Sequence, residues 1–223
     1  MSLKIGDSVI VKDGIKEPDF EDFEIGGWQG LAIEIDRDFD KVNTMITIEW
    51  DSLTLRQIPE EYIYQSEVEG LDWQRMNLFE TDLEKSIPKD KQKDVKKTQD
   101  QLSEKYYWFS FGEEGLRISK ILDGVNRHDE IKCLQKWVNH LDKTLTFPIE
   151  AIVSETEDND FIKSGDKVII KSFPHIVDMY GVIASIRLDG KKYEFPLCDL
   201  EVIDKTGTNC QLIDDYHTWF GNR

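Results

Sequence analysis

The sequence contains two related nonapeptides, KIGDSVIVK at residues 4–12 and KSGDKVIIK at residues 163–171, which are identical at six of their nine positions. Each contains a Gly-Asp pair followed by β-branched residues, a pattern typical of a turn that leads into a strand. After a loop, each copy continues with a strand opened by a glycine, Gly30 in the first copy and Gly181 in the second. A return strand and a proline with a short apolar segment close each copy. This order of turns and strands predicts two small SH3-like β-barrels.

Helical patterns lie between the two predicted barrels. The lysine-rich stretch 89–105 is close to neutral and is typical of an exposed, solvated helix. Asp129 can cap a further helix, because apolar residues recur behind it at three- and four-residue steps. These apolar positions are Ile131, Leu134, Val138, Leu141 and Leu145. The stripe they form is typical of a packing face.

A last helix is predicted from residue 208 onward. Thr208 and Gln211 have the spacing of a capping box, which marks the start of a helix. We expect this helix to pack its aromatic face on the second barrel and to leave Asp214 and Asp215 near its edge. The packing face consists of Leu212, Tyr216 and Trp219.

Together these patterns predict an α+β fold with two small SH3-like β-barrels, a helical segment that joins them and a carboxyl-terminal helix. We expect an acidic SH3-like barrel at residues 1–84 and a charged helical segment at residues 85–130. Residues 131–223 would form a helix, the second barrel and the last helix. The formal charge changes at the same places, from −14 in the first segment to +1 in the second and −4 in the third.

The charge of the whole chain limits its partners. Its 223 residues include 45 acids against 28 lysines and arginines, a formal net charge of −17. Phosphate backbones and anionic lipids would repel such a chain, so we expect no binding to nucleic acid or to a membrane. The three cysteines form no C-x-x-C pair, which indicates reduced thiols and a cytoplasmic protein. The natural partners are cations or a basic protein surface.

The sequence lacks the common catalytic motifs and a complete EF-hand loop. The sequence has no G-x-S-x-G elbow, no P-loop and no H-E-x-x-H, so we expect no enzymatic activity. Asp36, Asp38 and Asp40 match the first ligand positions of an EF-hand loop. However, Lys41 stands where the loop requires glycine, and the glutamate of its last position is missing. The acidic loop 155–160 fails the same spacing, so the sequence excludes an EF-hand.

Four motifs follow one another in the last part of the chain. They are W-x-x-x-L at residues 137–141 with LTFPIEA at 145–151, then GDKV at 165–168, FPLCDLEV at 195–202 and DYHTW at 215–219. In this order they resemble the CcbP-type calcium-binding proteins, which are small acidic bacterial proteins without EF-hands. The resemblance covers roughly residues 131–223 and implies an α+β fold that binds Ca²⁺ through carboxylates. Residues 1–84 look like an added SH3-like domain.

The resemblance also indicates candidate ligands for calcium, because several acids lie in or beside its motifs. Asp142 precedes the first F-P motif, Glu150 lies inside it, and Asp199 lies inside the second. The remaining candidates are Asp178, Asp214 and Asp215. For each residue singly, a solvated surface acid or a helix cap is an equally good interpretation.

Two hypotheses of function follow. The first is a cytosolic calcium-binding protein that acts as a buffer or sensor. The alternative is a protein-interaction module in which the acidic first barrel binds a basic partner or peptide, as small barrels do through aromatic grooves and strand edges. Aromatic residues that could line such a surface are Trp28, Trp50, Tyr62, Tyr64 and Trp73. The two functions can coexist in one chain.

Overall fold

A computed structural model describes residues 2–37, 39, 43–156 and 161–223 of the chain. The chain forms two compact units, Met1–Gly112 and Glu113–Arg223. Each unit contains helices and one antiparallel sheet of five strands, which confirms the predicted α+β class. The segment predicted at 85–130 is helical, but it is divided between the two units.

The amino-terminal unit is built around a sheet with the strand order β4-β3-β2-β1-β5. Its strands are β1 (Ser8–Val11), β2 (Gln29–Asp36), β3 (Met45–Trp50), β4 (Arg75–Phe79) and β5 (Leu83–Lys85). Its helices are α1 (Ser52–Gln57), α2 (Glu60–Glu69) and α3 (Gln92–Lys105), with 3-10 turns at Glu80–Asp82 and Tyr107–Phe111. Helix α3 is mostly exposed, as the lysine-rich stretch predicts.

Pro59 is the proline that closes the first copy of the repeat, but the segment after it is not the short apolar segment expected there, because it forms helix α2. Pro59 precedes the first turn with a φ of −59°, a value that suits a helix start. Glu60 and Glu61 follow in the first turn, where the helix dipole favours negative charge. Gly70 ends the helix in the left-handed region with a φ of +71°.

The carboxyl-terminal unit has a sheet with the order β10-β6-β7-β8-β9. Its strands are β6 (Ile149–Val153), β7 (Lys167–Val177), β8 (Gly181–Leu188), β9 (Lys191–Pro196) and β10 (Leu200–Val202). Its helices are α4 (Gly112–Ile121), α5 (Glu130–Thr144) and α6 (Thr208–Gly221), and a 3-10 turn at Leu197–Asp199 leads into β10. In each sheet the last strand pairs with the first, and a 3-10 turn precedes it.

The two Gly-Asp turns have the same local geometry. Gly6 and Gly165 have φ values of +89° and +90°, and each aspartate accepts a hydrogen bond from the backbone N–H three residues earlier, at 3.0 and 2.8 Å. The first turn nevertheless opens the first strand of its sheet, whereas the second opens the second strand. The repeat therefore relates strands at different positions. Within the described residues the sheets do not close into barrels, so the SH3-like barrels remain a prediction.

The predicted helix caps are partly confirmed. The Asp129 carboxylate accepts a hydrogen bond from the backbone N–H of Lys132 at 3.2 Å and so caps α5. At α6 the capping box is wrong, because Gly207 is the cap and Thr208 is already the first helical residue. Asp215 is 2% exposed and does not lie at the helix edge as predicted.

Aromatic side chains of α5 and α6 form the core of the carboxyl-terminal unit. The ring centroids of Trp137 and Trp219 are 5.7 Å apart, and Tyr216 lies within 6 Å of both. The Tyr216 hydroxyl accepts a hydrogen bond from the backbone N–H of Val182 at 2.8 Å. This bond brings the start of β8 close to α6. Among the described residues, none of the helices is both long and apolar enough to cross a membrane.

Replacing Gly181 by alanine should destabilise the carboxyl-terminal unit by about 3 kcal/mol, the sum of left-handed strain and a steric clash. Gly181 has a φ of +71°, and an added Cβ would lie 2.3 Å from the Tyr216 hydroxyl and 2.4 Å from the Phe220 ring. Gly190→Ala is the matched control, because Gly190 has a φ of +81° and open space around it. Urea denaturation should give a loss of only about 1 kcal/mol for the control. Equal losses would contradict the close approach of β8 and α6.

Candidate metal centre

The six predicted calcium ligands lie on five short stretches of the carboxyl-terminal unit. Asp142 is exposed in the last turn of α5, Glu150 is exposed on β6, and Asp178 is exposed in the turn between β7 and β8. Asp199 is partly exposed in the 3-10 turn before β10. On α6, Asp214 is exposed and Asp215 is buried. Solvent therefore reaches five of the six carboxylates.

These carboxylates do not converge on one point. Within residues 2–37, 39, 43–156 and 161–223, no three side chains of Asp, Glu, His or Cys are grouped closely enough to hold a metal ion. Asp38, Asp40 and Lys41, which carried the EF-hand comparison, lie outside the described residues, and so do positions 157–160 of the acidic loop. The ligand set remains a prediction.

An acidic cleft lies between α4 and the start of α6, with a volume of about 650 Å³. Its acidic lining residues are Glu113, Glu114, Asp214 and Asp215, and Arg117 and Lys205 line it as well. The Glu114 carboxylate accepts a hydrogen bond from the Thr218 hydroxyl at 2.8 Å. The cleft thus brings together two of the predicted ligands, Asp214 and Asp215, with two acids that sequence reasoning missed.

Asp215 is fully engaged within this cleft. Its two carboxylate oxygens accept hydrogen bonds from Nε and Nη2 of Arg117, both at 2.7 Å. This bidentate geometry is the strong form of an arginine–carboxylate pair. The hydrogen bond with Asp215 raises the pKa of Arg117. Burial of Asp215 is possible because Arg117 neutralises it, which is the physical reason that the residue does not lie at the helix edge.

Asp214 keeps more freedom. Its Oδ2 lies 3.2 Å from the Cys210 thiol, which can donate a weak hydrogen bond. Burial, and then this hydrogen bond to the carboxylate, raise the pKa of Cys210, so the thiol stays protonated at neutral pH. Of the acidic pair on α6, Asp214 is the residue that can turn toward a cation.

Glu150 lines a second cavity, of about 510 Å³, together with Asp204, Thr208 and Asn209. The Thr206 hydroxyl and backbone N–H both bond to Oδ1 of Asp204, at 2.8 and 3.0 Å. These bonds lower the pKa of Asp204 and keep it ionised. Carboxylate, hydroxyl and amide oxygens are the donors that calcium prefers. Sequence reasoning missed Asp204, although Asp204 and Thr206 directly before a helix are typical of an Asx turn.

The aromatic surface predicted for the acidic unit is mostly core. Trp50, Tyr62 and Trp73 are each at most 2% exposed, and only Trp28 and Tyr64 are partly exposed. Tyr62 belongs to α2 and packs edge-on against Trp28 with a centroid distance of 5.7 Å. Binding of a basic partner by this unit therefore remains a prediction. The five aromatic residues suggested for it do not form an exposed groove.

Replacing Arg117 by methionine should lower the free energy of unfolding by about 2–3 kcal/mol, because Asp215 would be left buried without a partner. The Arg117 side chain is 34% exposed, so the loss should fall below that of a fully buried pair. Arg187→Met, at an exposed position on β8, serves as the control and should change stability by less than about 0.5 kcal/mol. Urea denaturation of both variants checks this. Similar losses for the two would contradict the structural role of the pair.

Residues 118–220 match the Calci_bind_CcbP family model, whose description is calcium binding. The crystal structure of Anabaena CcbP is 22% identical over 44% of this chain and 80% of that chain, with a TM-score of 0.37. A calcium-binding protein in its calcium-binding form is 20% identical over 49% of this chain and 90% of that chain, with a TM-score of 0.39. No curated protein matches the sequence significantly. Residues 118–220 are therefore similar to the CcbP-type calcium-binding proteins.

Proposed function

We propose that the protein is a cytosolic calcium buffer or sensor that binds the ion through carboxylates outside any EF-hand and has no catalytic activity. The observation that carries this proposal is the family match over residues 118–220. The three cysteines are all free thiols, which fits a reducing compartment. The formal net charge of −17 favours a cation as the ligand.

The exposed acids of the carboxyl-terminal unit are the proposed ligands. Calcium takes six to eight oxygen ligands from carboxylates, carbonyls and water, in flexible geometry. Glu150 has oxygen donors beside it, and Asp214 can turn away from its thiol partner. Asp142, Asp178 and Asp199 stay candidates because solvent reaches them. Asp215 is the weakest candidate, since a cation would have to displace Arg117.

The spread of these carboxylates bears on affinity. Because the described acids do not form a ready-made cluster of three, binding must draw side chains together or complete the shell with water. Both reduce affinity, the first through the free energy of ordering the side chains and the second through a lower ligand charge. We therefore propose a weak site, suited to a protein that responds to changes in calcium concentration.

Calorimetric titration should detect saturable calcium binding and much weaker magnesium binding, because magnesium demands near-ideal octahedral geometry and gives up its water reluctantly. At a calcium concentration about 100 times the dissociation constant, the native state should gain roughly 2.7 kcal/mol, visible as a rise in melting temperature that EGTA reverses. Absence of both effects at millimolar calcium, or equal effects of the two ions, would refute calcium as the specific ligand.

Neutralising the true ligands should weaken calcium binding while the fold persists. Glu150→Gln and Asp214→Asn each remove one negative charge, and we expect about a tenfold loss of affinity for a variant that removes a ligand. Asp123→Asn makes the same charge change at an exposed position outside the candidate set and should bind like the parent chain. If both test variants bind calcium as tightly as the control, the assignment of Glu150 and Asp214 as ligands is wrong. That result does not contradict the proposal that the chain binds calcium. Asn variants of Asp142, Asp178 and Asp199 then test the other positions.

A further inference from the structure

A basic cavity lies on the carboxyl-terminal unit, between the end of α4 and the exposed face of α5. It has a volume of about 280 Å³ and is lined by Lys120, Ile121, Lys136, Asn139, His140 and Lys143. Three of these six residues are lysines and none is acidic. A local excess of positive charge stands out in a chain with a formal net charge of −17.

The helices bring these basic side chains together. Lys136, His140 and Lys143 follow one another at steps of four and three residues, so they share one face of α5. Lys120 comes from the last turn of α4, and the Lys136 ammonium donates to the backbone carbonyl of Asp123 at 3.1 Å. The cluster is therefore built from two helices and not from a single run of lysines.

The lysines of the cavity lack acidic partners within the described part of the chain. Lys132, one turn earlier on α5, pairs with Asp129 at 2.6 Å, but no such ion pair forms at Lys120, Lys136 or Lys143 among the described residues. The helix dipole favours cations in the last turns of α4 and α5, which accounts for Lys120 and Lys143. Lys136, in the middle of α5, is held by its bond to the Asp123 carbonyl. A bound anion would supply the charge partner that these three lysines lack among the described residues.

We propose that this cavity binds a small anion that carries phosphate groups. Ammonium groups and the Asn139 amide are hydrogen-bond donors, and phosphate oxygens are strong acceptors of such bonds. The cavity is slightly smaller than a typical drug-sized pocket, so it suits a compact group. A nucleic-acid strand would be repelled by the rest of the chain, and no Phe, Tyr or Trp lines the cavity to stack on a base.

Titration with pyrophosphate tests this site independently of calcium when EGTA is present throughout. We expect saturable binding by calorimetry, with NMR shifts confined to the ends of α4 and α5, and a loss of affinity as NaCl screens the charges. The double variant Lys136→Gln/Lys143→Gln should bind at least about tenfold more weakly, because two close charge contacts are lost. Lys191→Gln/Lys192→Gln removes the same charge from the exposed hairpin of β8 and β9 and should bind like the parent chain.

Three results would overturn the assignment. The first is the absence of saturable pyrophosphate binding up to millimolar concentration. The second is an equal loss of affinity in the two double variants, which would indicate nonspecific attraction. The third is binding of a hexaglutamate peptide at this face without binding of pyrophosphate, which would identify an acidic protein segment as the occupant. Circular dichroism of both variants verifies that the helices are intact.

Discussion

Repulsion among carboxylates constrains this fold, because 45 acidic side chains share the surface with only 28 lysines and arginines. Three of the buried acids, Asp215, Glu49 and Glu17, lie beside hydrogen-bond donors. Asp215 takes both hydrogen bonds of the Arg117 fork. Although burial raises the pKa of Glu49, hydrogen bonds from Gln92, Gln99 and Arg75 hold it below its usual value. The Glu17 carboxylate accepts a hydrogen bond from the Tyr62 hydroxyl at 3.3 Å. The other acids of the described residues mostly stay in solvent.

This dispersal bears on the calcium site that we propose for the carboxyl-terminal unit. Acids clustered without a cation would repel one another and destabilise the fold, whereas dispersed acids cost little. A divalent cation can then gather two or three of them and fill its remaining positions with carbonyl oxygens and water. In the described structure, the cavities beside Glu150 and Asp214 are each lined by further acidic and hydroxyl side chains.

Much of the fold could be predicted from local sequence signals. The Gly-Asp turns, the Asp129 cap and the buried face of α6 depend on short-range hydrogen bonds and helical spacing, which a sequence displays directly. The failure at Pro59 was local, whereas the others came from longer-range effects. Pro59 fits either a strand end or a helix start, and the acids that follow it decide for the helix. Asp215 resembled a surface acid, because its partner Arg117 is 98 residues away in the sequence. The repeat implied that the strands after the two Gly-Asp turns hold the same position in their sheets. This was wrong for a similar reason, since strand order depends on pairing across the whole unit.

We propose that the unit Glu113–Arg223 binds calcium through carboxylates that are dispersed in the described structure. A crystal structure grown with saturating calcium tests it most directly, with anomalous scattering used to locate the ion. The account predicts an ion in this unit with six to eight oxygen ligands at about 2.3–2.6 Å, including carboxylates from at least two of the candidate positions. A fully calcium-saturated crystal with no ion in this unit would contradict it.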